Sequence, residues 1–441
     1  VRGTLQVKCQ CTDHGTPPED RARAETEERG ITAPATTTGY GRDFRLYATG
    51  QAVSVVGDRI AIIALVFLVI HLSNSYAPAL ALFYACRVLP TLLGGLLVGV
   101  FVDHVDRRRL MVGCDLSRAV LLAAVPALSG LTLGTLYPLV VVLYALTLLF
   151  DTAARAALPD VVPEAKLLGA NAILNGIQTS ADLAYAVGGA LVFILNLQTP
   201  FYIDAATFLV SALLVHRMRI PGHERGPLPN VGDVLARIRV GVDFLMGHPF
   251  LKWSTFTFAI APVAGGAVFV LAPLYADHVL AHSAGLVGTL RSGAFRFSVL
   301  EVSIGVGALL GSAMAQRLVK RFPKGRLFGL GVLGTGLMDA VLGSITNLYV
   351  ATVVLALSGF FNSLFVISGV TLVQTLTPTE MRGRVVAARS TVINTALALG
   401  SALGGVVLLI VSYRAMWFLL GGTIMASSLF IWLRPEVRNQ R

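Results

Sequence analysis

Three ionisable residues, Asp58, Arg87 and Asp182, lie deep inside long apolar runs. A charge in hydrocarbon is costly, so such residues pair with one another or line a polar path. They are therefore the first candidates for holding a proton or a polar part of a substrate. Asp58 needs a partner other than its neighbour Arg59, because adjacent residues on a helix point in different directions; Arg87, on the next apolar segment, is the expected one. Gln51, Asn175, Gln178, Asn362 and Asn394 add amides able to bond a substrate or a neighbouring helix. Asp115 and Arg118 have the spacing of a local ion pair. Asp204, Glu301 and Asp339 fall toward segment ends, where water can hydrate them.

A second group occupies one short connection, Gly95-x-x-x-Gly99-x-x-x-Asp103-His104-x-Asp106-Arg107-Arg108-Arg109. Glycine permits close helix approach, Asp103 suits a helix N-terminus, and the arginines can latch onto carboxylates. The corresponding connection in the second half of the chain runs from Gly311 through Ala315 to Arg317, Lys320, Arg321, Lys324 and Arg326, and lacks the Asp.

The chain that carries these residues has 441 of them, 55% hydrophobic and 13% charged, with a mean hydropathy of +0.73. Soluble proteins carry about 25% charged residues. The composition excludes a soluble enzyme, a nucleic-acid binder and a secreted disulfide scaffold, and implies an all-α membrane protein. Twelve apolar segments are each long enough to cross a hydrocarbon core of about 30 Å. They cover roughly 44–72, 78–102, 110–129, 135–151, 168–195, 200–217, 253–274, 299–316, 327–345, 349–376, 390–411 and 415–433. Of the 35 Lys and Arg, 29 then fall on the side of the two termini, with Arg382, Arg384 and Arg389 counted in the connection before the eleventh segment. Three, Arg291, Arg296 and Arg414, fall in loops on the other side, and Arg59, Arg87 and Arg118 lie within segments. Basic residues concentrate on the cytoplasmic face, so both termini are expected in the cytoplasm and the net charge of +11 orients helices. The expected organisation is a disordered cytoplasmic tail (1–43), a six-helix bundle (44–217), a cytoplasmic linker (218–251), a second six-helix bundle (252–433) and a short tail (434–441).

The halves read as repeats. At an offset of 216 residues Glu164 matches Glu380, Lys166 matches Arg382, and Gly188-Gly189 matches Gly404-Gly405. Small residues let helices approach closely, so the two Gly pairs predict related packing seams. Duplicated bundles around a central site are a common build of secondary transporters.

The Gly95 to Arg109 connection resembles the loop signature of the major facilitator superfamily, with His104 and Asp106 in place of the usual Arg and Gly. Further segments resemble its macrolide-efflux and enterobactin-exporter-like branch. They are Gln51-x-x-Ser54-x-x-Gly57-Asp58, Arg87-x-x-Pro90, Asp115-x-x-Arg118, Leu158-Pro159-Asp160, Asp204-x-x-Thr207-Phe208 and Pro378-x-Glu380-Met381-Arg382-Gly383-Arg384. The resemblance runs from about 44 to 433. It departs at Ala184-Tyr185, where the antiporter signature has Gly-Pro, and around Arg291, Gly293, Arg296 and Glu301. It implies the major facilitator fold in two pseudo-symmetric six-helix bundles. It also implies a monomer in the bacterial inner membrane that exports a drug, antibiotic or siderophore by alternating access, with protons as coupling ion and no cofactor. Asp103, Arg107, Arg108, Arg109, Glu380, Arg382 and Arg384 are then expected to form the gating loops.

Other classes leave little trace. No Gly-x-x-x-x-Gly-Lys-Ser/Thr phosphate loop occurs. His223-Glu224 has Pro227 where a metalloprotease helix needs its second His. Cys9-x-Cys11 with His14 fits no structural zinc spacing, so no metal is expected. The alternative is an importer or facilitator of a lipid-like or nutrient molecule; an intramembrane enzyme or receptor is disfavoured. The orientation is testable: cysteines placed in 130–134 react with an impermeant maleimide from outside the cell and those in 225–232 do not. The reverse pattern at either site overturns the helix count.

Overall fold

The computed structural model describes residues 40–94, 97–102, 104–128, 130–220, 239–240 and 242–440. Cys9, Cys11 and His14, where no metal is expected, most of the expected tail, His223-Glu224, and Gly95 and Asp103 of the loop signature lie outside the described residues.

A backbone in hydrocarbon has no water to bond, so it closes its hydrogen bonds within each segment as a helix. The first half contains α1 (Arg42–Leu72), α2 (Ala77–Gly94), α3 (Leu97–Val102), α4 (Arg107–Ala127), α5 (Leu133–Val161), α6 (Leu167–Ala181), α7 (Ala184–Ile194) and α8 (Thr199–His216). The second half contains α9 (Pro249–His278), α10 (Gly293–Leu318), α11 (Lys324–Leu342), α12 (Leu348–Leu376), α13 (Thr379–Val407) and α14 (Tyr413–Trp432). Among the described residues eleven helices are long and apolar enough to cross a membrane, and α6 with α7 share the remaining crossing.

Local chemistry sets several helix starts. Asp106 accepts from the Arg109 amide and caps α4, Asn347 accepts from the Tyr349 and Val350 amides of α12, and Ser412 accepts from the Ala415 amide of α14. Three boundary differences bear on the site. The fourth crossing continues past residue 151 to Val161, since Asp151-Thr152-Ala153-Ala154-Arg155-Ala156-Ala157 keeps helix formers where apolarity ends. The eleventh begins at Thr379, next to Pro378, and not near 390. The fifth breaks at Asp182–Leu183, without proline or glycine at the break, where Asp182 turns to the Arg59 guanidinium of α1.

Packing repeats between halves. Helix α1 lies on α8 as α9 lies on α14, α4 on α8 as α11 on α14, and α2 on α5 as α10 on α12. The two bundles meet along α2 with α13 and along α7 with α10. Their Gly pairs have matching duties. Gly188 abuts Ile60 of α1 in its own bundle, with Ile60 O 2.8 Å from where a Cβ would stand, while Gly189 faces Ser298 and Ala294 of α10. Gly404 abuts Ala267 of α9 in its own bundle, while Gly405 faces Ala81 and Ala77 of α2.

Both inter-bundle seams lie toward the end opposite the chain termini, where Phe67 and Phe297 also meet with ring centroids 6.2 Å apart. The continuations of the same crossings toward the terminal end, α3 and α6, pack chiefly on α5 and α1 of their own bundle. A Cβ at Gly99 or Gly176 would meet nothing within 4 Å. Among the described residues the bundles are therefore joined chiefly at the end opposite the termini.

Valine at Gly189 or Gly405 drives a branched side chain into the opposing helix, an overpacking that costs about 1–3 kcal/mol in this joined state. Spin labels at Tyr76 and Ile410, in a background lacking native cysteines, are expected to report a longer separation in Gly405→Val than in the parent. An unchanged distance distribution excludes Gly405 from the seam.

Candidate functional site

Each bundle encloses its own cavity. The first measures about 140 Å³. Residues 51, 54, 55, 58, 61, 62 and 65 line it, the i, i+3, i+4, i+7 face of α1. It carries six Asp and Arg side chains: Asp58 and Arg59 of α1, Arg87 of α2, Arg118 of α4, Asp151 of α5 and Asp204 of α8. Gln51 of α1 and Gln178 of α6 add amides.

The pairing differs from the sequence expectation. Asp58 and Arg87 line the same cavity but form no ion pair; the Arg87 guanidinium lies over the Tyr144 ring, 5.1 Å from its centroid. Asp182 pairs with Arg59, Nε to Oδ1 2.8 Å, and the Arg59 guanidinium also lies 5.5 Å from the Tyr185 centroid. A Cβ added at Gly305 of α10 would stand 3.6 Å from the Asp182 Cβ, so this pair sits beside the other bundle. Among the described residues Asp58 has no hydrogen bond or ion pair and faces the cavity. Asp115 and Arg118 form the local pair their spacing predicts, both buried. Arg118 is held between Phe150 and Phe208, 4.7 and 4.1 Å from the ring centroids. Asp204 is 2% exposed and accepts from the Thr207 hydroxyl, so it is not the hydrated end residue expected.

The second cavity, about 610 Å³, lies among α9 to α14. It is mostly apolar and aromatic, with Asn362 and Gln374 among its few polar walls. Two charged residues line it that sequence reasoning misplaced. Asp339, expected to be hydrated, is 6% exposed and accepts from the Ser358 hydroxyl at 2.7 Å. Arg389, expected in a loop, lies buried in α13 because that helix starts eleven residues early. Asp151 was overlooked for the same kind of reason, since α5 carries it past the end of its apolar run.

The loop arginines hold to their own bundle. Arg107 donates to Ala156 O and pairs with Asp160 at 2.9 Å, and Arg108 donates to Met218 O. Arg109 reaches Asp106 at 3.5 Å in solvent. In the second bundle, Arg382 and Arg384 are exposed in the first turns of α13, where Glu380 also lies. Asn175 is exposed on α6. At the far end Arg296, expected in a loop, is buried in the first turn of α10 and donates to the carbonyls of Ala276, Asp277, Leu290 and Arg291.

Residues 41–440 match a family model described as "Transmembrane secretion effector". The chain is similar to the multidrug efflux pump Tap of Mycolicibacterium fortuitum, 27% identical over 371 residues that cover 79% of this chain and 85% of that one. It is also similar to macrolide efflux protein A of Streptococcus pyogenes, 25% identical over 85% of this chain and 91% of that protein. Among solved structures, the nucleoside transporter NupG superposes with a TM-score of 0.70 at 12% identity, covering 89% of this chain and 98% of that chain. That likeness shows the fold alone.

The sealed pair makes a test of structure apart from function. Asp115→Leu leaves Arg118 charged between two aromatic rings and is expected to cost about 3–5 kcal/mol, whereas the double variant Asp115→Leu/Arg118→Met regains most of it. Thermal unfolding in detergent measures both. Equal melting temperatures for the single and double variants refute the coupling.

Proposed function

The chain belongs to the transmembrane secretion effector family of the major facilitator superfamily, a family of multi-pass membrane transporters and not enzymes, and on that premise we propose that it exports a hydrophobic or amphipathic small molecule, coupled to proton entry. The efflux names of its relatives support the direction. The size and apolar lining of the second cavity support the substrate class, since small-molecule sites occupy about 300–1,000 Å³. The proposed orientation places the basic end on the cytoplasmic side of a bacterial inner membrane, the side from which an exported compound arrives. The working unit in this reading is a monomer in the lipid bilayer, with protons as the second ligand and no cofactor.

The observation that carries proton coupling is Asp58. A coupling carboxylate must alternate between a proton and a competing cation, and this one faces a polar cavity shared with Arg59, Arg87 and Arg118 without being locked to any of them. Asp182, already paired with Arg59, is the fallback carrier. Asp103 and the Glu380, Arg382 and Arg384 turn serve in this reading as the gate that closes the basic end.

In reconstituted vesicles Asp58→Asn is expected to abolish uphill, gradient-driven efflux while retaining downhill substrate exchange, because the binding cavities survive. Asp182→Asn is expected to weaken uphill transport without abolishing it. Uphill transport at the wild-type rate in the first variant removes Asp58 from the mechanism, and wild-type rates in both favour a facilitator or another ion.

A further inference from the structure

Arg389 stands out in the second bundle. Its guanidinium stacks on Phe258, 3.7 Å from the ring centroid, and Phe258 in turn stacks on Phe365 with centroids 4.4 Å apart. Among the described residues only Nη1 finds a protein acceptor, the Gly369 carbonyl at 3.3 Å; Nε and Nη2 have none. The side chain is 5% exposed and forms part of the cavity wall. No carboxylate among the described residues reaches it. Asp339, the acidic group of the same cavity, bonds Ser358, which stands eleven residues before Gly369 on α12, so the two charges are separated by about 16 Å along the helix.

A buried guanidinium that lacks a counter-ion is destabilising in an apolar surrounding, because the charge has given up water without gaining a carboxylate. Its five donors form a planar fork that matches carboxylate or phosphate oxygens. The face of Phe258 holds the cation while leaving the N–H groups of Nε and Nη2 for a ligand. The rest of the cavity is built for a hydrocarbon body: Phe258, Phe365, Val332, Leu355, Val370 and Ile393 wall it.

We propose that this cavity binds an amphipathic anion, with Arg389 receiving the carboxylate or phosphate head and the aromatic and aliphatic walls taking the apolar body. The proposal deepens the transport reading by naming its substrate class, and rests on that reading only for the step of carriage. Recognition is by charge at one end and burial along the rest, so a neutral or cationic analogue of equal length binds more weakly.

The test uses the purified full chain in non-ionic detergent, with the fluorescent probe 11-(dansylamino)undecanoic acid displaced by dodecanoate, dodecanol or dodecylamine. Dodecanoate is expected to compete best. Arg389→Met is expected to weaken dodecanoate about tenfold to a hundredfold, the loss of a charge-assisted hydrogen bond, and to leave dodecanol unchanged. Arg389→Lys, which keeps the charge, retains most of the preference. The melting temperature of the unliganded Met variant stays level or rises, since an uncompensated charge has been removed, whereas a purely structural Arg389 predicts a fall. Equal dodecanoate affinity in Arg389→Met, or a wild-type preference for the alcohol or amine, overturns the proposal. Should Arg389→Met not fold, thermal stabilisation of the wild type by dodecanoate beyond that by dodecylamine decides the matter, and its absence overturns the proposal. Phosphatidylglycerol as competitor separates the two sources of such an anion: its competition assigns a bilayer lipid, and competition by dodecanoate alone assigns a free single-chain compound. Binding without transport removes the export reading and leaves this one standing; transport without anion preference does the reverse.

Discussion

The bilayer core offers no water, so each ionic side chain placed there must find a partner inside the protein or a cavity to face. Most of the polar architecture follows from that requirement. Asp115 and Arg118 answer it by sealing one another between two phenylalanine rings. Arg296 answers it with backbone, drawing four carbonyls from the end of α9 and the connection to α10 around one guanidinium. Arg59 and Asp182 answer it across a break in a helix. Among the charges left after these pairs are formed, Asp58 in the first bundle and Arg389 in the second line the two cavities. Charge that is not neutralised locally marks the places where a mobile ion or ligand has room to act.

The same absence of water removes the hydrophobic drive between helices and leaves close packing as the adhesive. Glycine supplies it in a repeated pattern. The first Gly of each pair lets the fifth or eleventh crossing sit on the first helix of its own bundle, and the second lets it touch the other bundle. One crossing thus belongs to two seams at adjacent positions. Packed interiors of this density do not deform continuously, so relative motion of the halves is expected as rigid rocking about such seams.

Much of the fold was legible because periodicity, length and basic-residue asymmetry all report on crossing a hydrocarbon slab. The ends of crossings were less legible. Apolarity stops at Asp151, yet the helix continues through Ala-rich sequence to Val161, and that extension turns Asp151 into a cavity wall. The start of α13 at Thr379 likewise converts Arg389 from a loop cation into a buried one. The partner of Asp58 was misread for another reason. Spacing places residues on a face of one helix, but it does not say that Tyr144 will offer Arg87 a ring or that the break at Asp182 will bring that carboxylate to Arg59. The Asp115–Arg118 pair was readable because both partners belong to one helix turn.

The two bundles share a frame while differing in what they enclose, and the difference has a physical consequence. Six charged side chains around about 140 Å³ hold each other's fields in check, so a proton or ion entering the first cavity changes a balance that many groups share. The second cavity, about 610 Å³ with one acid and one base far apart along α12, offers little electrostatic exchange but ample apolar surface. Duplication accounts for the matching seams, which have to be alike for both halves to rock. It places no such demand on the interiors, and there the sequences have diverged toward charge in one bundle and hydrocarbon in the other. The residues that join these interiors, Asp182 beside Gly305 and Tyr84 stacked on Phe269 with centroids 5.5 Å apart, lie where the bundles touch. A change in the charge state of the first cavity therefore has a short packed route to the wall of the second, since Arg59 belongs to the cavity and to the Asp182 pair at once, and Phe269 lines the apolar space directly.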